Sequence, residues 1–309
     1  MTSVEHRAVA PEDDGIRLDR WFKRHYPELA YGAVSRLLRK GRVRLDGRRA
    51  KPGDRVQAGQ TVRIPPLAES AGAPAKSADR SALTEREIAE IRSWILYEDA
   101  QVIVLDKPPG IPTQGGSGVT RHIDGLMGEL ARQRGEPRPK LVHRLDKDTS
   151  GVLCLARTAT AAALLSKALR GREAKKLYWA LVAGVPRPKE GQIGAPLAKR
   201  ASKGGERVES VEEGRRARTR YRVIEHAATK AAWLALEPLT GRTHQLRVHC
   251  AEIGHPIVGD GKYGGRDAFL GGQVSNKLHL HARRLCLPHP GGGEIDVSAP
   301  LPPHMRACW

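Results

Sequence analysis

The densest group of side chains able to act together is His143-Arg144-Leu145-Asp146-Lys147-Asp148-Thr149-Ser150-Gly151, enclosed by the apolar pairs Leu141-Val142 and Val152-Leu153. Part of this run is turn chemistry, because Asp and Ser side chains bond nearby amides and Gly tolerates positive φ. A turn needs no cations, however. Arg144 and Lys147 beside Asp146 would keep its carboxylate ionised even in a closed pocket, as a nucleophile or general base requires.

A second cluster is Thr240-Gly241-Arg242-Thr243-His244-Gln245-Leu246-Arg247-Val248-His249. Thr243 is the expected N-cap of a helix over 243–253, in which Leu246, Cys250 and Ile253 recur at helical spacing. His244 and Arg247 then share a face, three residues apart. An Arg on a helix is usually only a solvated charge. The third element, Lys176-Leu177-Tyr178-Trp179-Ala180-Leu181-Val182, alternates as a strand and puts Tyr178 on one face with Ala180 and Val182. By itself such a tyrosine is a half-buried packing residue.

These clusters need a framework. The chain has 309 residues, more than one typical core requires and enough for two domains. Residues 1–14 are polar and acidic and read as a loose tail. Residues 15–66 form a compact unit. In it Leu18, Trp21 and Phe22 mark one helix, and Val34, Leu37 and Leu38 a second that ends at Gly41. The turn Asp46-Gly47 and a strand through Val62 and Ile64 follow. Residues 67–84, rich in Ala, Ser, Pro and Gly, read as a flexible linker. Over 85–309, strands are predicted at 102–105, 151–156, 178–182, 221–224, 233–236 and 279–287, and helices at 123–134, 159–169 and 243–253. Strands outnumber helices without strict alternation. The expected class is α+β: a mixed, largely antiparallel sheet with flanking helices, preceded by the small α/β unit.

Charge indicates the partner. The formal net charge is +19, from 53 Lys and Arg against 34 Asp and Glu. Such a surplus favours a polyanion: RNA, DNA or an anionic membrane surface. No run approaches the roughly 18 to 20 apolar residues that span a bilayer, and the N-terminus has no signal-like core, so no membrane association and a cytoplasmic location are expected. Between Arg36 and Lys51 stand eight basic residues against one acid, Asp46. Arg36, Arg39, Lys40, Arg42 and Arg44 are therefore read as a phosphate-binding face rather than a merely solvated one.

Taken in order, the motifs resemble the RluA family of pseudouridine synthases. They are Asp106-Lys107-Pro108-Pro109-Gly110, the run from His143 to Gly151, Lys176-x-Tyr178, and Gly241-Arg242-Thr243-His244-Gln245-Leu246-Arg247-x-His249. Gly254-His255-Pro256-Ile257-x-Gly259-Asp260 and Leu280-His281-Ala282 complete the set. The resemblance covers about residues 96–300, and Gly115-Gly116-Ser117-Gly118 is most like the RluC branch, which acts on large-subunit ribosomal RNA. Residues 15–66 resemble the S4 RNA-binding module, most clearly over 35–43. The resemblance implies that Asp146 is the catalytic aspartate, Tyr178 the active-site tyrosine and Arg247 the cation that pairs with Asp146. It further implies that Arg144, with His143 nearby, meets the RNA, Arg144 entering the space left by a flipped nucleotide. The chemistry agrees. Turning uridine into its C-glycoside isomer needs no net redox change or hydrolysis, so no cofactor and no metal are expected. The base must leave its stack, at a cost of a few kcal/mol, and an aromatic face such as Tyr178 suits a planar uracil. Asp146 could attack the sugar or remove a ribose proton. A single chain acting as a monomer is expected.

Other readings have less support in the residues. His244, His249, Cys250, His255, His279, His281 and Cys286 match no standard zinc spacing. Gly259-Asp-Gly-Lys-Tyr-Gly-Gly265 lacks the Gly-Lys-Ser/Thr ending of a P-loop. Four scattered cysteines without C-x-x-C suggest no disulfide framework. A hydrolytic glycosidase would need a second carboxylate, for which Asp148 and Asp260 are available. A non-catalytic RNA-binding or ribosome-assembly factor would need only the N-terminal unit and the charge.

Overall fold

The computed structural model describes residues 4–29, 31–66, 83–115, 121–131, 136–171, 173–202 and 205–309. The chain divides into two compact units, Met1–Ala82 and Leu83–Trp309.

The first unit contains β1 (Glu5–Ala8), α1 (Leu18–His25), α2 (Tyr31–Arg39), β2 (Arg44–Leu45), β3 (Arg48–Arg49) and β4 (Thr61–Ile64). Leu18, Trp21, Phe22, Val34, Leu37 and Leu38 meet Val43, Val62 and Ile64 in one core. Asp46 and Gly47 both have positive φ, the geometry a two-residue hairpin turn demands. One expectation is corrected here. Residues 5–8 are not a loose tail but an edge strand paired antiparallel to β4. The reason is long-range: Glu5 and Arg7 are half-buried on a sheet the local sequence cannot announce. Arg36, Arg39, Lys40, Arg42 and Arg44 are all exposed.

Of the expected linker, residues 67–82 lie outside the described residues. Thr84 begins the second unit as an N-cap, its hydroxyl accepting from the Glu87 amide while the Glu87 carboxylate accepts from the Thr84 amide. In chain order the unit contains α3 (Glu85–Ser93), β5 (Ile95–Glu98), β6 (Val102–Lys107), α4 (Ile123–Leu126), β7 (Lys140–Leu141), β8 (Ser150–Ala156), α5 (Ala159–Arg170), β9 (Lys175–Ala183) and β10 (Glu190–Ile193). There follow β11 (Leu197–Ser202), β12 (Gly205–Ser210), β13 (Thr219–Ala227), β14 (Ala231–Pro238), α6 (Gln245–Glu252), β15 (Leu280–Pro288), β16 (Glu294–Ser298) and α7 (Pro303–Arg306). The main sheet runs β10-β13-β14-β9-β15-β8-β6-β5, with β16 on β15 and β7 on β8. Among the described residues every pairing of this sheet is antiparallel except β8 with β15, so the α+β, largely antiparallel class holds.

Of the helix expected over 123–134, residues 132–134 lie outside the described residues, and the remainder is only partly α-helical. Four residues of α4 pass into a 3-10 turn over Met127–Leu130, and Ala131 is extended. Gly125 and Gly128 are poor helix residues, and a tertiary pocket for Ile123, Met127 and Leu130 is met without a longer helix.

The sheet centre carries the chemistry. β8 is buried along its whole length, which explains the continuous apolar run after the Asp motif. Gly151 faces Ala282 of β15; a Cβ there would lie 2.3 Å from the Ala282 carbonyl oxygen, and φ is +103°. No other residue fits. The glycine that ends the motif is set by the closeness of two parallel strands.

Candidate active site

Asp146 lies on the loop between β7 and β8, and the loop is fixed at several points. Thr113, buried, donates its hydroxyl to the Leu145 carbonyl at 2.6 Å and accepts from the Leu145 amide at 3.1 Å. Leu145 is itself buried in the core with Ile123 and Met127. The Thr149 amide donates to the Asp146 carbonyl at 3.2 Å. Lys107, fully buried, donates to the carbonyls of Pro108 (2.8 Å), Ile111 (2.8 Å) and Lys147 (3.0 Å). Gly110 adds its amide to the Lys147 carbonyl at 2.9 Å.

This explains the Lys-Pro-Pro-Gly run physically. Two prolines supply no N–H, so the carbonyls of the turn need an outside donor, and an ammonium has three. Burial pushes the Lys107 amine down to about 7, while Asp148, Asp146 and Asp106 oppose it. Burial likewise pushes Asp106 up to about 6. Lys107 thus ties the turn at 107–111 to the loop carrying Asp146.

His143 has a different place from the one expected. Its Nε2 accepts from the Cys154 amide at 2.9 Å, and burial, with Lys176 nearby, pushes it down to about 3. Among the described residues β7 pairs with Ala156 and Leu155 and no further along β8. The ring therefore completes the β8 ladder where β7 has ended, a role invisible without the register. Arg144, next in sequence, is exposed.

Tyr178 on β9 stands opposite Leu236 of β14 and Ala282 of β15. Its ring packs against the two cores that meet there. Burial first, and the negative charge of Asp146 second, push its phenol well above the ordinary value. It is a phenol at neutral pH.

Helix α6 brings the remaining groups. Its N-cap is His244, with φ 53° and ψ 18°, and not Thr243. A left-handed residue turns the chain sharply into the helix, and His tolerates that conformation better than most side chains. Gln245 supports the turn, accepting from Thr240 Oγ1 (2.7 Å) and the Arg242 amide (3.1 Å) and donating to the Arg218 carbonyl (2.9 Å) and Thr219 Oγ1 (3.0 Å). His249 reaches Thr219 Oγ1 at 2.9 Å and the Ala195 carbonyl at 3.2 Å. Leu246 and Cys250 are buried as expected.

Arg247 does not pair with Asp146. It donates Nε–H and Nη2–H to Asp260 Oδ2 and Oδ1, each at 2.7 Å, and its guanidinium lies 5.0 Å from the centre of the Tyr263 ring. Asp146 acts on it only as a more distant charge. Both partners come from one stretch of chain, and Asp260 is 1% exposed, so the fork fits the carboxylate it is folded against. His244 lies nearer to Asp146, with Nε2 3.9 Å from Oδ2; its Nδ1 is 2.6 Å from the Tyr263 hydroxyl.

Lys107, Thr113, Asp260 and Tyr263 were not singled out from sequence for these positions. The signal available for the last two was Gly259. At φ +82° its Cβ would lie 2.0 Å from the Lys277 carbonyl oxygen, so the segment is a shaped wall and not a free loop. Of the Gly115–Gly118 turn, residues 116–118 lie outside the described residues.

Comparison with known proteins gives the family. Residues 101–252 match the family model described as RNA pseudouridylate synthase, and residues 16–62 match the S4 domain. The chain is 37% identical to ribosomal large subunit pseudouridine synthase C of Escherichia coli K12, covering 99% of this chain and 96% of that protein. It is 35% identical to RNA pseudouridine synthase 4, mitochondrial, of Arabidopsis thaliana, over 94% of this chain and 78% of that one. The solved structure of human RNA Pseudouridylate Synthase Domain Containing 4 superposes with a TM-score of 0.59 at 29% identity, over 72% of this chain and 93% of that one. With a full-length relative at that identity and the fold shared, the chain belongs to the RNA pseudouridylate synthase family.

Proposed function

We propose that this protein isomerises selected uridines of large-subunit ribosomal RNA to pseudouridine, with Asp146 as the carboxylate that acts on the ribose. The observation that carries this is the Asp146 carboxylate itself. Its loop is pinned by Thr113, Lys107 and Gly110, yet among the described residues the carboxylate accepts no hydrogen bond from the protein. A fixed, half-buried carboxylate to which none of the described residues donates is a group kept for a substrate. The N1–C1′ bond breaks, the uracil turns, C5 bonds to C1′, C5 gives up its proton and N1 takes one. Both routes open to Asp146 place its oxygens against the sugar.

Tyr178 offers a face for the uracil. Being a phenol, it takes the C5 proton only by passing its own to a second acceptor, and Asp146 is the carboxylate whose charge it feels. Arg247, held by Asp260, keeps a positive charge near Asp146. Arg144, exposed on the same loop, takes the space in the duplex that the nucleotide leaves. The S4 match and the basic face from Arg36 to Arg44 support gripping of structured RNA. The relatives' names support the large subunit as source. We read the protein as acting as a monomer, since every group named at the site comes from one unit, and in the cytoplasm, in keeping with relatives named for ribosomal RNA. A glycosidase is disfavoured because, of its two candidate second carboxylates, Asp260 is committed to Arg247 and Asp148 is exposed to solvent.

The test is a pseudouridine map of ribosomal RNA from cells lacking the protein, complemented with wild type or Asp146→Asn. Specific large-subunit positions should lose pseudouridine and regain it only with wild type. The amide keeps shape and loses charge, so RNA affinity should stay within about a few-fold while turnover falls by several orders of magnitude. Unaltered maps, or turnover of the Asn variant above about a tenth of wild type, would refute the assignment.

A further inference from the structure

Beside Asp146 stands His244 Nε2, which has no hydrogen-bond partner among the described residues. Tyr263 Oη accepts from the Val208 amide at 3.3 Å and lies 2.6 Å from His244 Nδ1. Among the described residues the phenol hydroxyl has no acceptor for its own proton other than His244 Nδ1, which fixes the direction of this bond. Burial, with Arg247 and Lys262 adding to it, holds the imidazole below its ordinary value against the pull of Asp146. The ring is therefore neutral, accepts at Nδ1 and carries its hydrogen on Nε2. That nitrogen is 3.9 Å from Asp146 Oδ2, too far for a hydrogen bond and close enough for one atom to reach both. The left-handed backbone of His244, φ 53°, is a conformation that the surrounding turn holds in place.

A group that fills the gap must accept from His244 and donate to Asp146. In a chain of uridine nucleotides one hydroxyl is free, the 2′-OH, since the 3′ and 5′ oxygens are esters. The uracil imide edge could also offer a donor beside an acceptor, but Asp146 faces the sugar and the base must turn during the reaction. Holding it there would oppose the rotation.

We infer that His244, oriented by Tyr263, donates from Nε2 to the 2′-hydroxyl of the target ribose, which in turn donates to Asp146. This rests on the role given above to Asp146, and it makes His244 a determinant of ribose over deoxyribose. The 2′-OH is the atom by which a protein tells RNA from DNA at one site. Tyr263 is a positioning residue: it touches no substrate and fixes the tautomer.

The tests use the full chain. Nitrogen-15 spectra of the histidine side chains should show His244 protonated at Nε2 in wild type; an Nδ1–H ring overturns the inference. Next, a synthetic RNA spanning a uridine modified by the wild type is prepared with uridine or 2′-deoxyuridine at that position, and single-turnover rates are compared. The variants are His244→Asn, which tolerates the left-handed backbone but is too short to reach, and Tyr263→Phe, which leaves His244 in place. The rate penalty for 2′-deoxyuridine should be about tenfold smaller in His244→Asn than in wild type, as loss of one hydrogen bond predicts, and intermediate in Tyr263→Phe. Equal penalties in all three overturn the inference while wild-type activity on uridine, lost in Asp146→Asn, leaves the proposed function standing. A smaller penalty in His244→Asn alone overturns the part given to Tyr263.

Discussion

Arg247 and Asp260 form a two-point ion pair, each guanidinium N–H 2.7 Å from its own carboxylate oxygen, with Asp260 almost fully buried. The pair fixes where the positive charge sits relative to Asp146. Asp260→Asn should therefore have two effects. Leaving the half-buried guanidinium without its anion should cost about 3 kcal/mol of stability, read by urea unfolding. Product formation should fall at least about tenfold at a temperature where the variant is folded. Unchanged rate with reduced stability would show that Arg247 is purely structural.

Tyr178→Phe separates a stacking face from a proton relay. A ring that only stacks would keep most activity. If the hydroxyl passes the C5 proton onward, the variant should complete glycosidic cleavage and stall, with tritium release from C5-labelled RNA down about a hundredfold or more. Release near the wild-type rate in a single turnover would leave Tyr178 as a platform for the base.

The exposed basic face of the first unit should register in salt dependence. With Arg36, Arg39 and Lys40 all changed to Gln in the full chain, the slope of log affinity against log salt should become shallower by about 2 to 3, roughly one counterion per lost phosphate contact. An unchanged slope would mean these residues do not touch phosphate.

Asp106 gives a pH signature. Its folded-state carboxyl is pushed up to about 6 by burial, from an ordinary 3.8. The folded state thus holds a proton that the unfolded state releases between those values. The contribution to stability is fully present below the lower value and is lost as pH rises through the higher. Asp106→Asn should remove this loss, about 2 kcal/mol after allowing for partial exposure, from the difference between unfolding free energies at pH 4 and pH 7. Parallel curves for wild type and variant would refute it.

The sequence by itself determined much that is local. Runs such as Val152-Leu153-Cys154-Leu155-Ala156 could bury on both faces only as a central strand, and Asp46-Gly47 could hardly be other than a hairpin turn. The Asp motif, the strand with Tyr178 and the helix with Leu246 and Cys250 were legible because period and turn chemistry are short-range properties. Tertiary structure decided the partners. His143 completes a ladder next to a strand that has run out. Residues 5–8 pair with a strand nearly sixty positions away. Arg247 takes Asp260 in place of Asp146, and His244 rather than Thr243 begins α6. Each depends on which backbone group or carboxylate the fold leaves unsatisfied at one point in space, and side-chain spacing along the chain does not contain that quantity.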